Sequence, residues 1–407
     1  MQFRKYQQEI IDKGTDVISS HGFLYLSMEV RTGKTLTSLG ICDKLGAKDV
    51  LFVTKKKAIS SIESDYKLLN PKYNLVVINY ESLHKIEMDS IDVIILDESH
   101  SMGAYPKPSK RAKMVRLIIS KYQPHTLFLS GTPTPESYSQ MYHQVFGVPN
   151  NPFREFKNFY RFADRYVRVK QKFINSMRIN DYDDGSEMII EKMKPYTISY
   201  TQKEAGFENV IDEHTLYVDM NPETYDIIKK LKRDLVVQGS DDVILADTPV
   251  KLMQKTHQLC SGTIKFESGK SMVIDYSKAE FIKDYFKGKK IGVFYKFKEE
   301  LNALQEVFCK KTLTTELDMF NDTDCQVIAL QIVSGREGIS LRKADALVYY
   351  NIDFSATSYW QSRDRMTTKE RKHSDVYWIF SNKGIERSIY NTVINKKDFT
   401  LNHFKNI

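Results

Sequence analysis

The feature that most constrains this 407-residue chain is an alternation along its first third. Short, β-branched apolar runs recur, each followed by a polar or amphipathic stretch: FLYLSM (23–28), VLFVT (50–54), LVVIN (75–79), DVIILD (92–97) and TLFLS (126–130). Near-continuous hydrophobicity marks strands covered on both faces. The stretches between them, GKTLTSLGICDKLG and AISSIESDYKLL among them, carry helical spacing. That order predicts a parallel sheet with crossover helices, whose ligands bind beyond the carboxyl ends of the strands. The pattern returns at KIGVFY (290–295), CQVIALQ (325–331), ALVYYN (346–351) and VYWIF (376–380), with helical FKEELNALQEVF (297–308) between. The expected fold class is α/β: two parallel-sheet domains in tandem, 1–147 and 263–407, separated by a mainly helical insertion, 148–262.

Polar motifs cluster where that topology puts strand ends. MEVRTGKTLTSLG (28–40) follows the first strand and opens a helix near Gly33. Backbone N–H groups and the positive helix end converge there, Lys34 adds a full charge, and Thr35 is placed to ligate magnesium. The opening glycine usual in such a loop would fall on Met28, and Arg31 and Thr32 fill positions where small residues are commoner. At the end of the fourth strand, VIILDESH brings Asp97 and Glu98 to the same edge. Adjacent carboxylates are costly there without a cation. With magnesium they divide the work: Asp97 orients the metal's shell and Glu98 polarises the attacking water. One strand later LSGTPTP adds Ser130, Gly131 and Thr132. A lone GKT or a lone acidic turn would carry little weight; together they predict a nucleotide pocket. The second half has no such loop. It offers SGREGISL (334–341) and YWQSRDRM (359–366), where Gln361, Arg363, Asp364 and Arg365 concentrate, a candidate arginine finger for a γ-phosphate held by the first domain.

Sixty Lys and Arg against 52 Asp and Glu give a formal charge of +8, a mild bias towards polyanionic partners. Lys55, Lys56 and Lys57 end the second strand at the nucleotide edge and suit phosphate-backbone contacts. FREFKNFYRFADRYVRVKQKF (153–173) predicts a helix with Phe156, Phe159, Tyr160, Ala163 and Tyr166 facing the core, and Arg154, Lys157, Arg161, Arg165 and Arg168 on another face, either solvated or against DNA. The four cysteines are scattered, which argues against a zinc site or disulfide framework. No apolar run reaches membrane-spanning length and MQFRKYQQEI lacks a signal-peptide core, so a cytoplasmic location is expected, in the host if the chain is phage-encoded.

In order, these motifs resemble the core of superfamily-two helicases, specifically the Swi/Snf-like group of DNA-dependent ATPases. FRKYQ (3–7) resembles the adenine-contacting motif, with Gln7 at the recognition position, and RTGKT resembles motif I. LFVTKKKAISSIESDY resembles motif Ia, VINYESL with Tyr80 the next strand-binding motif, LDESH motif II and LSGTPTP motif III. SGREGISLRKADALVYYN, containing Gly338, resembles motif V, and WQSRDR motif VI. MKPYTISYTQKEAG and TLYVDMNPETYDIIKKL resemble the group's inter-domain region. The resemblance implies two RecA-like domains working on ATP and Mg2+. It implies Lys34, Glu98, Gln361 and Arg365 in catalysis, and Gln7, Thr32, Gly33, Thr35, Asp97 and Gly338 around the nucleotide, with Thr35 and Asp97 on the metal. Lys55, Lys56, Lys57, Tyr80, Arg161 and Arg165 are the expected nucleic-acid contacts. The implied partner is duplex DNA gripped without regard to sequence by a compact, phage-type monomeric motor, with replication or recombination proteins as further associates. Met28, Arg31 and Thr368, the last standing where motif VI usually has a second arginine, depart from the pattern. Rival readings are a strand-separating DNA or RNA helicase and a low-turnover nucleotide-dependent clamp.

Overall fold

The computed structural model describes residues 2–174, 177–208, 210–239, 242–309, 311–335, 341–366 and 371–395. The chain forms two compact units, Met1–Phe207 and Glu208–Ile407. In the first, β1 (Phe23–Met28), β2 (Asp49–Thr54), β3 (Asn74–Asn79), β4 (Val93–Asp97) and β5 (His125–Leu129) fall within a residue of the runs read from sequence. An antiparallel pair, β6 (Lys170–Ile174) and β7 (Met177–Asp181), precedes β8 (Thr197–Tyr200). The main sheet is ordered β3-β2-β4-β5-β1-β8 with every neighbour parallel.

Alternating side chains send this sheet's apolar residues to two cores. Leu24, Leu26 and Met28 pack with Ile10 and Ile18 of α1 (Lys5–His21), Leu39 of α2 (Lys34–Lys44) and Ile62 of α3 (Ile59–Leu69). Phe23 and Tyr25 face Val115 of α4 (Lys110–Tyr122), Tyr142 of α5 (Met141–Val145) and Phe162 of α6 (Phe159–Tyr166). The last helix is shorter than its sequence suggested. Asn158 caps it, Oδ1 accepting from Arg161 N at 3.1 Å, so Phe156 lies outside. That phase buries Phe159, Phe162, Ala163 and Tyr166 and leaves Tyr160 exposed, which corrects the predicted face.

The second unit repeats the plan. Its strands are β9 (Val210–Val218), two short antiparallel pairs β10 (Val236–Gln238) with β11 (Val243–Leu245) and β12 (Thr263–Lys265) with β13 (Ser271–Val273), then β14 (Ile291–Tyr295), β15 (Leu313–Thr314), β16 (Val327–Gln331), β17 (Ala346–Tyr349) and β18 (His373–Ser381). Its sheet is ordered β15-β16-β14-β17-β18-β9, again wholly parallel. The stretch 148–262, expected as a mainly helical insertion, contains helices but also supplies β8 to one sheet and β9 to the other. Hydropathy hides β9 because its polar residues are satisfied laterally: His214 meets Asp375 at 2.8 Å and Asp212 meets His373 at 3.0 Å.

Between them in β9, Glu213 is a hub. Its carboxylate accepts from Tyr359 Oη at 2.7 Å, Arg363 at 2.8 Å, Trp378 Nε1 at 2.9 Å and Tyr390 Oη at 3.1 Å. Arg363 therefore fixes the helix Ala356–Arg363 to the sheet. Removing one partner of a shielded charge leaves the other underpaired, here softened by three remaining donors. Arg363→Ala should cost about 1–3 kcal/mol, read as a lower urea midpoint of tryptophan fluorescence. An unchanged midpoint would remove Arg363 from this structural role.

Candidate nucleotide site in the first unit

The carboxyl ends of β1, β4 and β5 meet at one sheet edge. Beyond β1 the chain turns through Glu29–Gly33 into α2, whose N-cap is Gly33 with φ 85°. The left-handed backbone favours glycine there, and a Cβ would lie 2.4 Å from Gln7 Nε2 and push that amide aside. Gln7 is buried beside it, its Oε1 accepting from Arg4 N at 3.1 Å. Tyr6 donates to Thr32 O at 3.0 Å and stacks on Tyr200 with centroids 4.7 Å apart. Thr32 is buried, its hydroxyl on Glu29 O at 2.7 Å, and Thr35 stands in the first turn of α2. Lys34 folds back, Nζ donating to Met28 O at 2.8 Å and Glu29 O at 3.3 Å.

The unusual front half of this loop is braced from outside. Glu29 N donates to Tyr200 O at 3.0 Å, and its carboxylate accepts from Gln202 N at 2.7 Å. Gln202 Nε2 donates to Val30 O at 2.9 Å. Gly131 approaches from β5, where a Cβ would sit 3.3 Å from Met28 O. Met28 itself is a buried strand residue, and Arg31 takes a left-handed φ of 65°. Glycines usual in such loops are replaced here by contacts from β8 and from Gln202 just beyond it, 172 residues from Val30, for which local sequence carries no signal.

Asp97 and Glu98 emerge at the same edge. Asp97 Oδ2 accepts from Thr54 Oγ1 at 2.8 Å, and its carbonyl accepts from Tyr80 Oη at 2.7 Å. Burial, then the neighbouring Glu98 charge, raises its carboxyl to about 6, against the opposing pull of Thr54 and Lys34. Glu98 has a left-handed φ of 49°, and Oε2 lies 3.3 Å from His100 Nδ1. His100 Nδ1 also meets Ser130 Oγ at 2.9 Å, which accepts from Thr132 N at 3.1 Å. Ser99 completes a buried chain through Tyr25 to Gln144, at 2.8 and 2.7 Å. Each carboxylate thus has its own support.

Magnesium suits this donor set. A carboxyl held above its normal range by burial and a like charge is a place where a divalent cation offsets both costs. Among the described residues no group of three or more His, Cys, Asp or Glu could hold a metal.

The other expected positions divide. Lys56 and Lys57 are exposed and Lys55 half-buried just past β2. Tyr80, expected against nucleic acid, is instead buried beneath Asp97 with Arg111 over its ring at 5.2 Å. Its phenol points inward because the Asp97 carbonyl needs a donor. Arg161 and Arg165 are exposed on α6. In the second unit Arg365 is largely buried and its carbonyl accepts from Leu341 N at 2.9 Å. Gly338, Thr368 and the side chain of Gln361 lie outside the described residues. Sequence reading missed Thr54, Glu29, Gln202 and Arg111; of these only Thr54, adjoining the lysine run, had a positional cue.

A family model described as SNF2-related domain matches residues 30–263, more than half of the chain. The chain belongs to that family. Its sheets and motifs are those of a nucleic-acid-dependent ATPase of helicase superfamily two. Two Sulfolobus solfataricus structures are similar to this SNF2-related chain. The SWI2/SNF2 ATPase core in complex with dsDNA has TM-score 0.44 and 13% identity, covering 97% of this chain and 91% of that one. The core domain alone has TM-score 0.44 and 14% identity, covering 97% and 89%. At those values the assignment rests on the family match and the two sheets instead. No curated protein matches the chain. No described helix is long and apolar enough to cross a membrane.

The brace from β8 has a measurable consequence. Glu29→Ala or Gln202→Ala should weaken binding of a fluorescent ATP analogue about threefold to tenfold, since each removes a polar contact ordering the loop at a partly solvated position. Equal affinities, with unchanged melting, would show that the loop holds itself.

Proposed function

We propose that this SNF2-related protein is a DNA-stimulated ATPase that tracks along duplex DNA by its phosphate backbones. Lys34 would exchange the carbonyls of Met28 and Glu29 for the β- and γ-phosphates, gaining charge-assisted bonds. Gln7 would read the adenine edge. Thr35 and Asp97 would hold magnesium, which neutralises phosphate charge when bound. Glu98, oriented by His100 and Ser130, would polarise the attacking water. Arg365 and Gln361, from motif position, are assigned to the γ-phosphate, and Gly338 to the nucleotide.

The observation that carries DNA dependence is the double tether on Asp97. One tether, Thr54, immediately precedes Lys55–Lys57; the other, Tyr80, sits under Arg111. A change at the phosphate end of β4 thereby reaches the lysine run proposed to meet the DNA backbone. Duplex tracking without strand separation is supported by the connection from β17 to β18. Its described part is filled by the helix Ala356–Arg363 and a short 3-10 turn, where an unwinding hairpin would otherwise be inserted.

ATPase measured with duplex DNA, single strands and RNA, alongside triplex displacement, tests the proposal. Duplex should stimulate most and a triplex strand should be displaced. Glu98→Gln should retain ATP binding while losing turnover by about 10²-fold or more. Efficient opening of a forked duplex without triplex displacement would make the protein a helicase. ATP binding with negligible turnover on every nucleic acid would make it a clamp.

Replacing Lys55, Lys56 and Lys57 together by alanine should weaken DNA binding equally across sequences. The log–log salt slope should fall by roughly 2–3 units if all three meet phosphates. A slope identical to the parent's would return these lysines to ordinary solvated surface.

A further inference from the structure

On the α4–α6 side of the first unit lies a cavity of about 270 Å³ that the nucleotide and DNA assignments do not use. Its lining includes Tyr142, His143, Phe146 and Phe159. The polar tips of two of these are turned into the protein. Tyr142 Oη donates to Phe156 O at 2.9 Å, and His143 Nε2 lies 2.9 Å from Pro106 O, so that nitrogen carries the proton. His143 stacks on Phe159 with centroids 5.7 Å apart. Burial holds this imidazole below its usual pKa, hence neutral at physiological pH. What the walls present to the cavity is mainly carbon.

The mouth is charged in one sense only. Lys107, Lys113, Arg116 and Lys157 line it and are exposed, and no Asp or Glu is among the lining residues. None of the four is in an ion pair among the described residues. Arg116 lies over the Phe146 ring, its guanidinium carbon 4.5 Å from the centroid, joining rim to wall.

This combination selects an occupant. A nucleobase would bury several polar edge atoms against carbon walls whose hydroxyl and imidazole are already engaged, which is costly. A phosphate alone would gain the rim and leave the cavity empty. A cavity of about 150 Å³ already accepts a benzene ring, so one large apolar side chain fits with room for its backbone. We propose that the cavity is a docking site for an acidic segment of a partner protein. The segment seats one phenylalanine-sized side chain between Tyr142, Phe146 and Phe159 and lays its carboxylates on the four rim cations. The partner's chemistry is thus an aromatic or large aliphatic anchor flanked by Asp and Glu.

The test uses the full chain and a fluorescein-labelled peptide, Asp-Asp-Glu-Glu-Phe-Asp-Asp-Glu, in an anisotropy titration at low salt. Saturable binding is expected, and replacing the peptide's Phe by Ser should weaken it about tenfold or more, the loss for one buried aromatic side chain. Lys113→Glu combined with Lys157→Glu should weaken it at least as much, with melting unchanged. If that variant melts early, the Phe and Ser peptides compared on unaltered protein decide the matter alone. Equal binding of the two peptides would reduce the site to a charged surface and overturn the proposal, as would no binding of either. It is likewise overturned if the double variant loses labelled oligodeoxythymidine but not peptide, or if it loses only self-association by light scattering.

Discussion

The site depends on the bond between Thr54 and Asp97. Asp97 ends β4, an interior strand of a parallel sheet, where a half-buried carboxylate beside a second carboxylate is expensive. Three things hold it there. Thr54, from the strand alongside, donates to the carboxylate; Tyr80 donates to the carbonyl; and Lys34 lowers the local negative potential. These come from the ends of β2, of β3 and of the loop after β1, which a parallel sheet brings to one edge because all its strands run the same way. The architecture thus permits two carboxylates where phosphate chemistry needs them. The strained φ at Glu98 belongs to the same arrangement, since it turns the second carboxylate away from the first and onto His100.

The first sheet was legible because its strands are covered on both faces and therefore apolar along their length. The positions of Gly33, Lys34, Asp97 and Glu98 were legible because each directly follows or closes an apolar run that forms a strand, or opens a helix. Strands β8 and β9 were not, for a specific reason. β9 reads Val-Ile-Asp-Glu-His-Thr, and its acidic and histidine side chains are satisfied by residues more than 140 positions away. Hydropathy sees a polar stretch; the fold sees a sheet edge whose charges have partners. Tyr80 failed differently. Motif position locates its backbone beside the nucleic-acid segment, but only three-dimensional placement reveals that its hydroxyl completes the Asp97 carbonyl.

The two arginines of RDR are separated by the same kind of long-range information. The resemblance implied Arg365 for the γ-phosphate, with Arg363 as its neighbour in the same cluster. Glu213 engages Arg363 together with two tyrosines and a tryptophan, so moving that guanidinium to another anion would break a shared network. A finger has to be available to charge that develops only in the transition state. Arg363, committed to the ground-state fold, is poorly suited to that task and holds its helix to the sheet instead.

In the phosphate loop Lys34 folds back on its own backbone. Its ammonium rests on two neutral carbonyls, Met28 O and Glu29 O. Phosphate oxygens carry charge, and charge-assisted bonds are roughly twice as strong as neutral ones, so the exchange favours nucleotide. The exchange also withdraws a donor from Met28 and Glu29, whose backbone pairs with Tyr200, while the Glu29 carboxylate accepts from Gln202 N. Those two residues lie on the last strand of the first unit and the turn after it, a few positions before the unit ends at Phe207. The stretch of chain that ends this unit is therefore hydrogen-bonded to the front half of the loop. Where a glycine would turn the loop locally, a buried methionine in β1 and a glutamine just past β8 hold it from a distance.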